Sequence, residues 1–249
     1  MIYGPDTLPY DVAALRRIRL RPPISAGAAW TGIPHHELLH EIIAQAQARD
    51  WCGPTPAATY ALGRYESDMA AAILLDRYSP PFSVFAPFIG IINWNSRRRN
   101  VEILLGVQIT NDGEQYSTVL DTPLLQHKHT GGFAIPEKVT GAMDIAAGLL
   151  RRVPAYIIDR KGVDLDDTEA DRLLMAAGRR GLVAPSRMLE VDAAFKQRGR
   201  SELGLMRTPS AWDLLAAFSL IAQKAPALYQ MDYLREFGRM LPVAGKIPA

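Results

Sequence analysis

Apolar positions first recur at helical spacing in residues 35–50, where Leu38, Leu39, Ile42, Ile43 and Ala46 form one stripe. Pro34 stands just before the stripe, where a missing N–H costs nothing, and Gly53-Pro54 closes it. The pattern then changes to runs rich in β-formers. Residues 59–62, 69–75, 85–94, 101–110 and 116–120 are separated by turn chemistry and predict strands. Two connections have hairpin character: residues 95–100, and Asn111-Asp112-Gly113, whose Asp-Gly suits positive φ. A four- or five-stranded antiparallel meander is the simplest account of this stretch.

Helical spacing returns after a glycine-rich loop at 127–133. Residues 136–152 place Val139, Met143, Ala146, Ala147 and Leu150 on one side. Asp166-Asp167-Thr168 offers acceptors and negative charge to a helix over 168–178, which Arg179-Arg180-Gly181 ends with cations and a glycine cap. Residues 186–198 predict another helix. Thr208-Pro209-Ser210 starts a long one with Trp212, Leu215, Phe218, Leu220 and Ile221 as core candidates. Pro226 breaks it, and 229–241 is the final helical piece.

Residues 1–34 are rich in Pro and Gly and read as irregular. Within them, 14–21 interleaves Leu15, Ile18 and Leu20 with arginines, an edge strand or short arm ended by Pro22-Pro23. The expected class is α+β: an antiparallel β-meander flanked by helices, with a helical C-terminal half. Its expected parts are an arm over 1–32, a sheet-containing core over 33–161 and a helical region over 162–249 packed on that core.

A chain of 249 residues makes one large or two small domains with a sizeable core. The formal net charge of +2 excludes a globally basic protein, so a nucleic-acid surface needs local clustering of Arg and Lys. Cys52 is the one cysteine, which rules out an internal disulfide and fits a reducing compartment. Residues 1–20 lack the apolar core of a signal peptide. The longest nearly uncharged stretch, 80–94, contains prolines and is too short to span a bilayer. The expectation is a cytoplasmic protein without a membrane partner.

Two patterns carry candidate chemistry. His36-Glu37-Leu38-Leu39-His40 matches H-E-x-x-H, in which histidines at i and i+4 hold zinc and the glutamate is general base to a zinc-bound water. A zinc hydrolase would use Glu37 as the catalytic group, with His36, His40 and a third ligand such as His129 on the metal. The extended form of the motif is absent, since Ile43 stands where its glycine belongs. The bland alternative is an amphipathic helix whose polar face meets water.

The second pattern is Trp94-Asn95-Ser96-Arg97-Arg98-Arg99 between two strong strands. Adjacent arginines in a turn present forked donors to phosphates, and an indole beside them suits an unpaired base. Arg16, Arg17 and Arg19 form a second basic group. Arg151-Arg152 and Arg179-Arg180 fit helix C-termini and need no ligand. The carboxylates of 164–171 lack the sixth-position glycine and final glutamate of a calcium loop. Gly131-Gly132 has no Lys-Ser/Thr after it to make a phosphate loop.

Three passages resemble a known family. Ile33-Pro34-His35 leading into the first helix, Ile91-Ile92-Asn93-Trp94-Asn95-Ser96 with the hairpin that follows, and the Trp212 helix are similar to the phage- and plasmid-borne proteins that carry the domain of unknown function nine-three-two. Members usually follow Asn-Ser with His-Asp-Gly, where this chain has Arg97-Arg98-Arg99. The resemblance implies a mobile-element protein without settled chemistry. The element order is also similar to that of phage single-strand annealing proteins, a fold-level analogy that implies an oligomer lying along single-stranded DNA.

The sequence expectation is therefore a non-enzymatic DNA-binding protein, a single-strand annealing or recombination accessory acting as a homo-oligomer. It needs no cofactor. Arg97, Arg98 and Arg99 would hold phosphates, Trp94 would stack, and Arg16, Arg17 and Arg19 would assist. The zinc hydrolase is one alternative, and a phage protein that binds a host protein is another.

Overall fold

The computed structural model describes residues 4–20, 30–78, 85–96, 99–111, 114–129, 131–198 and 208–243. Its centre is a seven-stranded antiparallel sheet. The strands are β1 (Leu8–Pro9), β2 (Ala58–Leu62), β3 (Asp68–Leu74), β4 (Phe85–Trp94), β5 (Val101–Asn111), β6 (Glu114–Val119) and β7 (Leu125–His127). They run in chain order from β1 to β6, and β7 returns to pair with the start of β5. The α+β class and the antiparallel meander are thus as the periodicity predicts.

The sheet is covered on both faces, which explains why β3, β4 and β5 are near-continuous apolar runs rather than alternating ones. On one face lie α2 (His35–Ala48) and α3 (Ile135–Leu150), packed on each other. The α2 stripe of Leu38, Leu39, Ile42, Ile43 and Ala46 is buried as its spacing predicts. On the other face lie α7 (Ala211–Ala222) and α8 (Ala227–Met240). A Cβ on Gly90 of β4 would run into Met231 of α8, whereas Asn93 of the same strand meets His35 of α2. Those two contacts assign the alternate residues of β4 to opposite faces.

Helix α4 (Val153–Lys161) packs on α7, α6 (Pro185–Arg198) packs on α7, and α5 (Asp167–Arg179) packs on α6. Local signals set these boundaries. Asp166 caps α5 and makes a capping box with Glu169; Gly181, at φ 72°, lies just past its end. Ser210 and Asp213 make the same box at α7.

The N-terminal segment departs from expectation. Instead of an edge strand or arm over 14–21, α1 (Val12–Arg17) forms there, because the Asp11 carboxylate accepts the amides of Ala13 and Ala14. Leu15 from this helix is fully buried. The Asp112-Gly113 turn predicted between β5 and β6 falls outside the described residues.

Candidate functional site

The turns that join β2 to β3 and β4 to β5 emerge at the same end of the sheet, and the segment after β7 joins them there. Backbone hydrogen bonds stitch the first two together. Asn95 N–H donates to the Ser67 carbonyl at 2.9 Å, and Ser96 N–H donates to Asp68 Oδ1 at 3.1 Å. With strands about 5 Å apart, the two turns stand about 10 Å from centre to centre.

A buried polar layer supports this end from the α2 side. Asn95 accepts from Ile33 N–H through Oδ1 at 2.7 Å and returns a hydrogen bond from Nδ2 to the Ile33 carbonyl at 3.0 Å. Asn93 Nδ2 donates to that carbonyl at 2.9 Å and approaches His35 Nδ1 at 3.0 Å. The other ring nitrogen, Nε2, lies 3.1 Å from the Glu66 carbonyl. An amide N–H can only donate and a carbonyl can only accept, so His35 is the neutral Nε2–H tautomer. Glu66 itself sits at φ 57°, in the left-handed region.

Burial drives the His35 imidazole down to about 4, against the upward pull of the Glu66 carbonyl and of Asp68. His129, 4% exposed, is also pushed down to about 4 by burial. Neither of its ring nitrogens, nor Asn93 Oδ1, has a hydrogen-bond partner among the described residues. The unfolded chain protonates His35 near 6.5 and the folded one near 4, so the unfolded state binds the extra proton between those values. Stability is then complete above about pH 6.5 and drains away as pH falls toward 4, by about 3 kcal/mol for this one group. The urea midpoint of the wild-type protein is expected to drop across that window. The midpoint of His35→Gln should start lower and vary less with pH.

The outer surface of the same end is basic and aromatic. Tyr65, at the tip of the first turn, is 81% exposed, the most exposed of the large apolar side chains described. The Arg64 guanidinium lies 5.6 Å from its ring centroid, and among the described residues Arg64 has no ion-pair partner. Lys128 is exposed just past β7. Periodicity passed over Arg64 and Tyr65 because a lone Arg-Tyr in a turn has no motif; only its adjacency to the second turn gives it meaning.

The arginine turn is only partly described. Arg97 and Arg98 lie outside the described residues. Arg99 is engaged: it forms an ion pair with Asp232 of α8, and its guanidinium lies 5.1 Å from the Trp94 ring centroid. Trp94 is 7% exposed, with Arg99 over one side and Tyr229 of α8 meeting it edge-on at 5.5 Å. In this arrangement an incoming base does not reach Trp94 without displacing a partner, and the charge of Arg99, whose side chain is still partly exposed, is already matched by Asp232. Arg16, Arg17 and Arg19 are exposed on and just after α1.

The H-E-x-x-H residues do not assemble a site. His36 and His40 lie on the outward side of α2, with Glu37 exposed 3.8 Å from His36. His129 lies near the inward His35 instead. Among the described residues no three His, Cys, Asp or Glu side chains are grouped to hold a metal ion. A cleft of about 380 Å³ lies among α5, α6, α7 and α8, walled by Leu182, Val183, Phe218, Ile221 and Tyr233. Its two cations, Arg187 and Lys224, both pair with Glu190. No helix among the described residues is long and apolar enough to cross a membrane.

No protein-family model, curated protein or solved structure matches the chain. The resemblance to the phage and plasmid family rests on its short motifs alone.

Proposed function

We propose that the protein binds single-stranded nucleic acid, DNA in the first instance, at the sheet end formed by the turns 63–67 and 95–100, and that it does so without chemistry of its own. One observation carries this reading: an exposed tyrosine beside an arginine that has no ion-pair partner among the described residues, hydrogen-bonded through its turn to the turn that bears Arg97 and Arg98. An exposed aromatic face stacks on any unpaired base, and arginine forks hold the phosphates on either side. A duplex hides its base faces, so this combination favours a single strand. Tyr65 takes the stacking role that sequence gives to Trp94. Lys128 widens the basic surface.

The test is anisotropy of labelled single- and double-stranded oligonucleotides across a range of salt. Expected are single-strand preference and a linear fall of log K with log salt. Losing one arginine contact should flatten that slope by about 0.7. Arg97→Ala with Arg98→Ala should therefore flatten it by about 1.4, two contacts' worth. Tyr65→Ala should cost about 1–3 kcal/mol of affinity with the slope kept. Absence of binding at low salt overturns the reading. Annealing or a recombination accessory role is its narrower form, and it needs the further result that the protein speeds pairing of complementary strands.

A further inference from the structure

We propose that Asp232 is a positioning residue for this surface: by pairing with Arg99 it anchors the end of the turn 95–100 to α8, and Arg99 is an anchor rather than a phosphate contact. The inference rests on the reading of the sheet end as a nucleic-acid surface.

Sequence alone counts Arg97, Arg98 and Arg99 as equivalent cations in one turn. The packing makes Arg99 different. Asp232 Oδ2 takes the Arg99 guanidinium, and its Oδ1 accepts from Arg235 Nη2 at 3.3 Å. Arg235 Nη1 donates to Glu102 Oε2 at 2.6 Å, and Gln126 Nε2 donates to Glu102 Oε1 at 2.7 Å. The chain of contacts thus runs from β7 through β5 and α8 to the turn. Glu236 also lies 3.6 Å from Arg235 Nε and pairs with Arg239, so three arginines and three carboxylates cancel in formal charge and the charge of Arg99 is already matched inside the protein. Burial pushes the Asp232 carboxyl upward, and Arg99 and Arg235 pull it back.

The other end of the turn is fixed independently. Asn95 is clamped by both polar groups of Ile33, and Ser96 N–H is held by Asp68. The described residues on either side of Arg97 and Arg98 are therefore held, Asn95 and Ser96 from the Ile33 and Asp68 side and Arg99 from α8. Arg99 is more exposed than Asp232, Arg235 or Glu102, with a side chain 29% accessible. Releasing it leaves Asp232 with Arg235 and Arg235 with Glu102, so the remainder of the network survives its loss.

Asp232→Asn separates the two roles. The change keeps the shape and an acceptor for Arg235, removes the charge that holds Arg99, and leaves a free cation at the surface. An anchor predicts faster amide exchange over 99–101 in the unliganded protein, with the Ser96 amide, held separately by Asp68, unchanged. It also predicts binding to a single-stranded oligonucleotide weaker by about three- to tenfold, despite the gained cation. Arg99→Ala should do the same while leaving the salt slope unchanged. A direct contact predicts the opposite: Asp232→Asn binds as tightly or more tightly, and Arg99→Ala flattens the slope by about 0.7. Either of those results, or unchanged exchange in both variants, overturns the proposal. If wild-type protein binds no oligonucleotide, the functional reading falls, and the exchange data alone still decide whether Asp232 anchors the turn.

Discussion

Arg235→Met is expected to be among the most damaging single substitutions in the chain, lowering stability by about 3–5 kcal/mol. Arg235 and Glu102 are both almost fully buried between α8 and β5. Removing the cation leaves the Glu102 carboxylate dry, with Gln126 as its one neutral donor among the described residues. It also leaves Asp232 dependent on Arg99. An uncompensated buried charge costs far more than a surface pair contributes. Since whole-domain stability is about 5–15 kcal/mol, the loss is a large fraction of the total. A melting temperature lower by roughly 6–20 °C would follow for a chain of this size. Glu102→Met with Arg235→Met removes both charges, keeps comparable volume and leaves Asp232 paired with Arg99. The double variant should recover most of the loss, because desolvation and attraction in a buried pair nearly cancel. Equal damage from the single and double variants would mean that the stranded Glu102 charge is not the source of the loss.

The same network marks where sequence reading stops. Strand periodicity located five of the seven strands to within a residue or two. β4 came out with its observed bounds, because bulky β-formers covered on both faces give an unbroken apolar run. β1 and β7 were missed for the opposite reason: two or three edge residues, one of them Pro9, carry no periodic signal. α4 was missed as well, because the charged run Asp159-Arg160-Lys161 after Ile157 and Ile158 reads as polar, while Arg160 is buried against Tyr156 with its guanidinium 3.7 Å from the ring centroid. The candidate site was half legible. The arginine turn is visible as a run of charge, but Arg99 differs from its neighbours only through Asp232, which lies 133 residues away. Trp94 looked available because it adjoins a charged turn, and α8 covers it with Tyr229. His36 and His40 carried a motif, whereas the histidine with structural consequences is His35, one position earlier and on the opposite side of α2. Motif spacing says which residues share a face; burial decides which face meets water.

Gly106→Ala should cost about 3 kcal/mol, at the upper end of what a single added methyl does to a core. Gly106 lies directly opposite Phe88 in the β4–β5 register, and the Phe88 ring folds across it. A Cβ on residue 106 would come within 2.6 and 2.7 Å of two ring carbons, Cε1 and Cε2, and closer still to Cζ. Phe88 is fully buried, so the ring has no open side to swing into, and the strands themselves would have to part. Gly90 provides the contrast on the same face. There the nearest atom to an added Cβ is the sulfur of Met231, and an unbranched thioether on α8 can turn aside. Gly90→Ala is expected to cost about 1 kcal/mol. Equilibrium urea unfolding of both variants separates the cases, with Phe88→Leu/Gly106→Ala as a third. Shortening the ring should relieve the added methyl, so the pair must cost less than the sum of its singles. Simple additivity would show that Gly106 is required by backbone conformation rather than by the ring above it. Its φ, unlike that of Gly181, is not in the positive region, which argues for the ring.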